Sequence, residues 1–185
     1  MIHSMQNCIS MPFHYNYITH YSRHYNNVPL WGAMNAVTFG QLSAFYQYMP
    51  NEVQVKVSKY FPRYTEKQLH QFITIIAKCR NVCAHGERLY DFRTYDTIPD
   101  TLLHRKLSIP LKKGSYMLGK HDLFAVVLSL KYLISNDDFK DFKRRLSKLI
   151  KQVLKQCPHI TRTQLLKEMG FPENWEKINR YKLFM

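Results

Sequence analysis

Thr65-Glu66-Lys67-Gln68-Leu69-His70-Gln71-Phe72-Ile73-Thr74-Ile75-Ile76-Ala77-Lys78-Cys79 runs without a break into Arg80-Asn81-Val82-Cys83-Ala84-His85-Gly86. Thr65 and Gln68 form a capping box: the hydroxyl accepts from a free N–H at the helix start while the amide returns to the Thr65 backbone. The stripe Leu69, Phe72, Ile73, Ile76 and Cys79 or Cys83 recurs at helical steps, and Gly86 is a natural place for the chain to leave helical geometry. A strong helix is therefore expected from Thr65 to Gly86, with an abrupt change from apolar to polar residues in its last turn.

Outward from this helix the period stays helical. Leu30, Met34, Val37, Leu42, Phe45 and Met49 predict one helix ending at Pro50, with Gly40 as a tolerated flaw. Asn51 is positioned to cap a second, in which Val53, Val57, Tyr60 and Phe61 share a face before Pro62. Residues 91 to 120 hold Pro99, Pro110, Gly114 and Gly119, so they read as mostly loop with a short helix at 101 to 107. Leu123, Val126, Val127, Leu130, Leu133 and Ile134 mark another helix. Ser135 or Asn136 caps the next, with Asp137, Asp138 and Asp141 near its positive dipole end. That helix is expected to bury Phe139, Phe142, Leu146, Leu149, Ile150 and Val153. Its other face carries Lys140, Lys143, Arg144, Arg145, Lys148, Lys151 and Lys155. Thr161 with Gln164 opens a short helix that Gly170 ends, and Pro172 starts a last turn containing Trp175. The fold class is all-α: a helical bundle over about 28–180 with an irregular central loop region, preceded by a short aromatic and histidine-rich segment over about 1–27, the whole 1–185 forming one domain.

The 185 residues include 27 Lys and Arg against 13 Asp and Glu, a net charge of +14, which points to a polyanionic partner, nucleic acid before an anionic membrane. The longest apolar stretch, Phe124 to Ile134, is interrupted by Lys131 and is shorter than the roughly 20 residues a spanning helix needs. No secretory signal is visible at the N-terminus, so a cytoplasmic location with no membrane partner is expected. Cys8, Cys79, Cys83 and Cys157 lack zinc-ligand spacing and read as small core residues. His14, His20 and His24 lie among Tyr15, Tyr17, Tyr21 and Tyr25. With no Cys, Asp or Glu nearby to complete a metal site, they read as packing aromatics, with base stacking as a secondary use. No metal and no cofactor is expected. Gly-rich phosphate loops, paired catalytic carboxylates and a Ser-His-Asp order are missing, which argues against nucleotide hydrolysis and acyl transfer.

Asn81 and His85 are one turn apart on a helix, so Asn81 is placed to hold the imidazole in one orientation. Arg80 lies about 140° around the axis from His85 on a regular helix. Its length, unwinding at Gly86, or a second copy of the motif across a dimer axis must close that gap. The plainer reading is that Arg80 serves the helix C-terminus electrostatically and His85 fills a cap position.

Three ordered blocks carry a resemblance. Val28-Pro29-Leu30-Trp31 with Thr38-Phe39-Gly40-Gln41-Leu42-Ser43, then Arg80 to Tyr90, then Met169-Gly170-Phe171-Pro172-Glu173-Asn174-Trp175, together resemble the Abi-like family of bacterial abortive-infection proteins, within the HEPN superfamily. The resemblance implies a HEPN-like bundle whose Arg-x(4–6)-His motif marks metal-independent endoribonucleases, with Arg80, Asn81 and His85 in the motif positions. The additional N-terminal helical region of family members, with its Tyr-Tyr-Arg-Leu type motif, is not found in this sequence. The implied function is RNA cleavage in antiphage defence or as a toxin, by a homodimer, with an RNA or protein antitoxin as a further partner. The alternative is a non-catalytic RNA-binding or regulatory module. Arg88 and the helix face with Lys143, Arg144, Arg145, Lys148 and Lys151 are the candidate RNA contacts, each neutralised phosphate adding a salt-sensitive increment; the plainer readings are that Arg88 pairs with Glu87 or a carbonyl and that the helix face is only solvated.

Overall fold

A computed structural model describes residues 15–61 and 64–181. Among the described residues the protein is all-α apart from one hairpin of two-residue strands, and its chain divides into two compact units, Met1–Gln54 and Val55–Met185. His14 and Cys8 lie outside the described residues.

In the first unit, α1 (Asn16–Tyr25) is followed by α2 (Leu30–Asn35) and α3 (Phe39–Tyr48). The single helix expected over 30–49 is thus two. Thr38 stops the first and starts the second: its hydroxyl accepts from the Gln41 N–H at 3.2 Å while Gln41 returns to the Thr38 N–H at 2.9 Å. The apolar period continues across the break, but the capping box at Thr38 fixes an extended residue there. Ile18 is buried, whereas Tyr25, Leu30 and Trp31 are exposed. Tyr21 stacks edge-on against Trp31 at 5.6 Å, and His20 lies 4.3 Å from His24, ring to ring, so the aromatics do pack on one another. The helix α4 (Asn51–Ser58) crosses the division; the Pro50 carbonyl accepts its first bonds, and Val53 and Tyr60 are exposed rather than packed.

The second unit holds α5 (Glu66–Ala84), α6 (Leu102–Lys106), the hairpin β1 (Leu111–Lys112) and β2 (Ser115–Tyr116), α7 (Leu123–Leu133), α8 (Asn136–Gln156), α9 (Arg162–Met169) and a closing 3₁₀ helix (Trp175–Arg180). The strands pair antiparallel, Leu111 with Tyr116 and Lys112 with Ser115. Lys113 and Gly114 turn between them with φ of 52° and 79°, a left-handed pair that suits a two-residue hairpin. Helix α7 is apolar nearly all round and buried on every side, which makes it the centre of this unit. Helix α5 packs along it through Phe72, Ile75 and Cys79. Ile75 takes the place expected for Ile73, and Cys83 is exposed, so it is not a core residue. Burial pushes the Cys79 thiol up to about 12, which keeps it protonated and inert.

Asp122 caps α7, its carboxylate accepting from the N–H groups of Ala125 and Gly119, both at 2.9 Å. Gly170 sits against it: a Cβ there would fall 2.4 Å from the Asp122 Cγ, and the residue has φ +75°. The last block of the sequence is therefore core. Met169, Phe171 and Trp175 are buried, with the Phe171 ring 4.9 Å from Phe124 and 5.2 Å from Trp175.

Of the six residues assigned to the buried face of α8, Phe139 and Ile150 are buried, Phe142 and Leu146 are half-buried against the core, and Leu149 and Val153 are 58% and 37% exposed. With Tyr90, Ile160 and Leu165 the last two line an open apolar groove of about 690 Å³ between α8 and α9.

Candidate functional site: the end of α5 and the basic face of α8

Helix α5 stays regular through Ala84, and His85 is its C-cap with φ −90° and ψ 1°. The His85 N–H donates to the Asn81 carbonyl at 3.0 Å, Gly86 N–H to Cys83 at 3.3 Å and Glu87 N–H to Val82 at 3.1 Å. The last two bonds form a Schellman motif, which requires the left-handed Gly86, φ +67°. The chain does not unwind between Arg80 and His85, so the angular gap of about 140° persists within one chain. His85 does fill the cap position of the plainer reading, through its backbone.

The side chains tell more. Arg80, Asn81 and His85 are all exposed, and none of the three side chains makes a hydrogen bond or ion pair among the described residues. Asn81 and His85 share a face, but no carboxamide–imidazole bond joins them. Arg88 pairs with Asp91, Nη2 to Oδ2 at 3.4 Å, and its guanidinium lies 6.0 Å from the Tyr90 ring centroid. An ion pair exposed to solvent holds Arg88 only weakly.

On α8 the cations fall into two groups. Lys140 pairs with Asp137 at 2.8 Å, and Arg144 and Arg145 share Asp141, Arg145 Nε at 2.7 Å from Oδ2; Arg145 donates first among the groups that hold the Asp141 carboxyl below its usual range. Lys143 has its ammonium 5.8 Å from the Trp175 ring centroid, and Lys148 and Lys151 make no ion pair among the described residues. Lys143, Lys148 and Lys151 line one groove, together with Lys140, Arg144, Ser147, Glu176 and Asn179. Arg145 lies off it. Ser147 and Asn179 were not singled out by sequence reasoning. The one available signal is a serine inside a run of cations, at four residues from Lys143 and four from Lys151.

Among the described residues no group of His, Cys, Asp and Glu is placed to hold a metal ion, and no helix is long and apolar enough to cross a membrane.

The stretch that ends just past this helix terminus is the one that matches a known family. Residues 1–91 match the family model described as Abi-like protein. The Abi-like match includes Arg80, Asn81, His85 and Arg88 and stops before the basic face of α8 and the Met169–Trp175 block. Over that stretch it supports a likeness to the Abi-like family. No curated protein and no solved structure gives a match.

Proposed function

We propose that the protein is a metal-independent endoribonuclease of an abortive-infection or toxin-type antiphage system, of HEPN type. The observation that carries this reading is the unpartnered, exposed trio Arg80, Asn81 and His85 on a capped helix end within the Abi-like stretch. Exposed to water and tied to nothing else among the described residues, the three side chains can meet a ligand without breaking a contact.

In the proposed reaction the His85 imidazole takes the proton from a ribose 2′-hydroxyl, and the resulting oxygen attacks the adjacent phosphorus. The guanidinium of Arg80 neutralises the charge that builds on the phosphate oxygens as the 5′-oxygen leaves. The nucleophile belongs to the substrate, so DNA, which lacks it, is not cleaved. Asn81 orients the imidazole once substrate is bound. Because one helix presents Arg80 and His85 about 140° apart, two motifs of a homodimer line a shared cleft and complete each other. Arg88 and the α8 cations hold flanking phosphates, and an RNA or protein antitoxin would act by covering them.

That same separation favours a second reading, a non-catalytic RNA-binding or regulatory module in which the motif binds without cleaving. Purified protein incubated with labelled single-stranded RNA in the presence of chelator decides between them. Cleavage of RNA and not of matched DNA supports the nuclease. Binding without cleavage by a protein shown to be dimeric supports the second reading.

A further inference from the structure

The groove between α8 and the closing 3₁₀ helix has a volume of about 570 Å³, within the range of about 300–1,000 Å³ usual for small-molecule sites. Its wall carries five cations and one carboxylate, Glu176. Lys140 pairs with Asp137, and Arg144 shares Asp141 with Arg145, so the groove cations without an ion pair among the described residues are Lys143, Lys148 and Lys151. Three ammonium groups facing one space repel one another and are relieved by an anion.

The groove also holds polar atoms that the fold leaves unused. Ser147 Oγ and Asn179 Oδ1 are buried atoms without a hydrogen-bond partner among the described residues. A serine within a helix usually bonds back to the carbonyl four residues earlier, as Ser129 does to Ala125 at 2.8 Å in α7. Ser147 does not, so its O–H remains as a donor beside the lysines. Asn179 Oδ1 needs the opposite, a donor. An unpartnered buried donor and acceptor on one groove call for a ligand, or for water, with both functions.

The geometry points to a phosphorylated ribonucleotide as the occupant of this groove. Its phosphate accepts from Lys143, Lys148, Lys151 and the Ser147 hydroxyl. A ribose hydroxyl donates to Asn179 Oδ1, on the side where Glu176 repels phosphate. The inference rests on the RNA-directed part of the proposed function and is independent of the chemistry at Arg80 and His85.

The test uses the full chain carrying His85→Ala, so that no probe is consumed. The probes are a 5′-phosphorylated oligoribonucleotide, the same sequence as DNA, and adenosine monophosphate. Ser147→Ala should weaken RNA binding about tenfold with an unchanged melting temperature. Lys148→Ala and Lys151→Ala should each lower the slope of log affinity against log salt by about 0.7. Asn179→Ala should weaken RNA binding more than DNA binding. Tight binding of adenosine monophosphate assigns the groove to free nucleotide, and binding of the oligoribonucleotide alone assigns it to the RNA chain. Wild-type affinity in the Ser147 and Lys151 variants, or equal loss for RNA and DNA in the Asn179 variant, overturns the site. In those outcomes RNA is still bound, so the proposed function survives them; a chain that binds no RNA at all overturns both.

Discussion

The C-terminal end of α5 and the junction where α7 begins each gather a histidine, a charged residue and a glycine, and they use them in opposite ways. At the junction, His104 is fully buried, its Nε2 2.8 Å from the Gly119 carbonyl and its Nδ1 2.8 Å from the Thr101 hydroxyl. Asp122 accepts two backbone N–H bonds, and Gly119 and Gly170 allow the close approach. Every polar atom has a use in the fold. At the end of α5 the glycine serves the backbone alone, and Arg80, Asn81 and His85 stand in solvent. Residue type is a poor guide to role; whether the side chain already has a partner is a better one.

The largest effect expected from this contrast is at His85. On the proposed mechanism, in which His85 is the general base, His85→Ala should reduce RNA cleavage by a factor of about 100 to 10,000, with no change in melting temperature. Cleavage at the wild-type rate would show that the exposed histidine is as idle as it is unpartnered. Next comes Gly170→Ala, which puts a side chain in left-handed backbone and into Asp122. It should cost about 2–4 kcal/mol, seen as a melting temperature lowered by roughly 10 °C, while cleavage per folded molecule stays unchanged. A selective loss of cleavage would mean that the junction belongs to the site.

A smaller effect is expected from pH. Burial, ahead of all other causes, holds the His104 imidazole below its ordinary 6.5. Below that value the unfolded chain takes a proton that the folded chain refuses, so stability should fall as pH drops through 6.5 and under it. His104→Gln, which keeps a donor and an acceptor, should flatten this dependence in melting curves; an unchanged slope would assign it elsewhere. The smallest effect concerns Lys131, buried in α7 with its ammonium 3.0 Å from the Asn136 carboxamide oxygen and 4.8 Å from the Phe139 ring centroid. Burial lowers its pKa, so the charged form is held at a cost that diminishes as pH rises toward neutralisation. Lys131→Met should melt slightly higher than wild type at pH 7, with the advantage shrinking at alkaline pH.

Much of the second unit could be read from the chain. The boxes at Thr65 and Thr161, the Ser135 cap and the stop at Gly170 are local devices with fixed spacing, and all four occur as expected. The break at Thr38 is written in the same code, but an apolar period that runs across it masks the signal. Burial on α8 was less legible: a stripe states which side chains are apolar, not what covers them, and nothing among the described residues covers Leu149. Strands of two residues have no alternation to detect, leaving only the Lys113-Gly114 turn. At the candidate site, the exposed end of α5 follows from the helix that precedes it. Ser147 and Asn179, on different elements and distant in sequence, become one groove only in the fold.

The Schellman cap at Gly86 also has a consequence on the time axis. Helix ends commonly fray within microseconds, which would sweep a terminal side chain through many positions. Here the last turn can open only if the bonds from Gly86 to Cys83 and from Glu87 to Val82 both release. The amide hydrogens of these two residues, though in an exposed segment, should therefore exchange with solvent deuterium more slowly than those of neighbouring loop residues. The backbone of His85 is thereby held as a fixed post rather than a loose end.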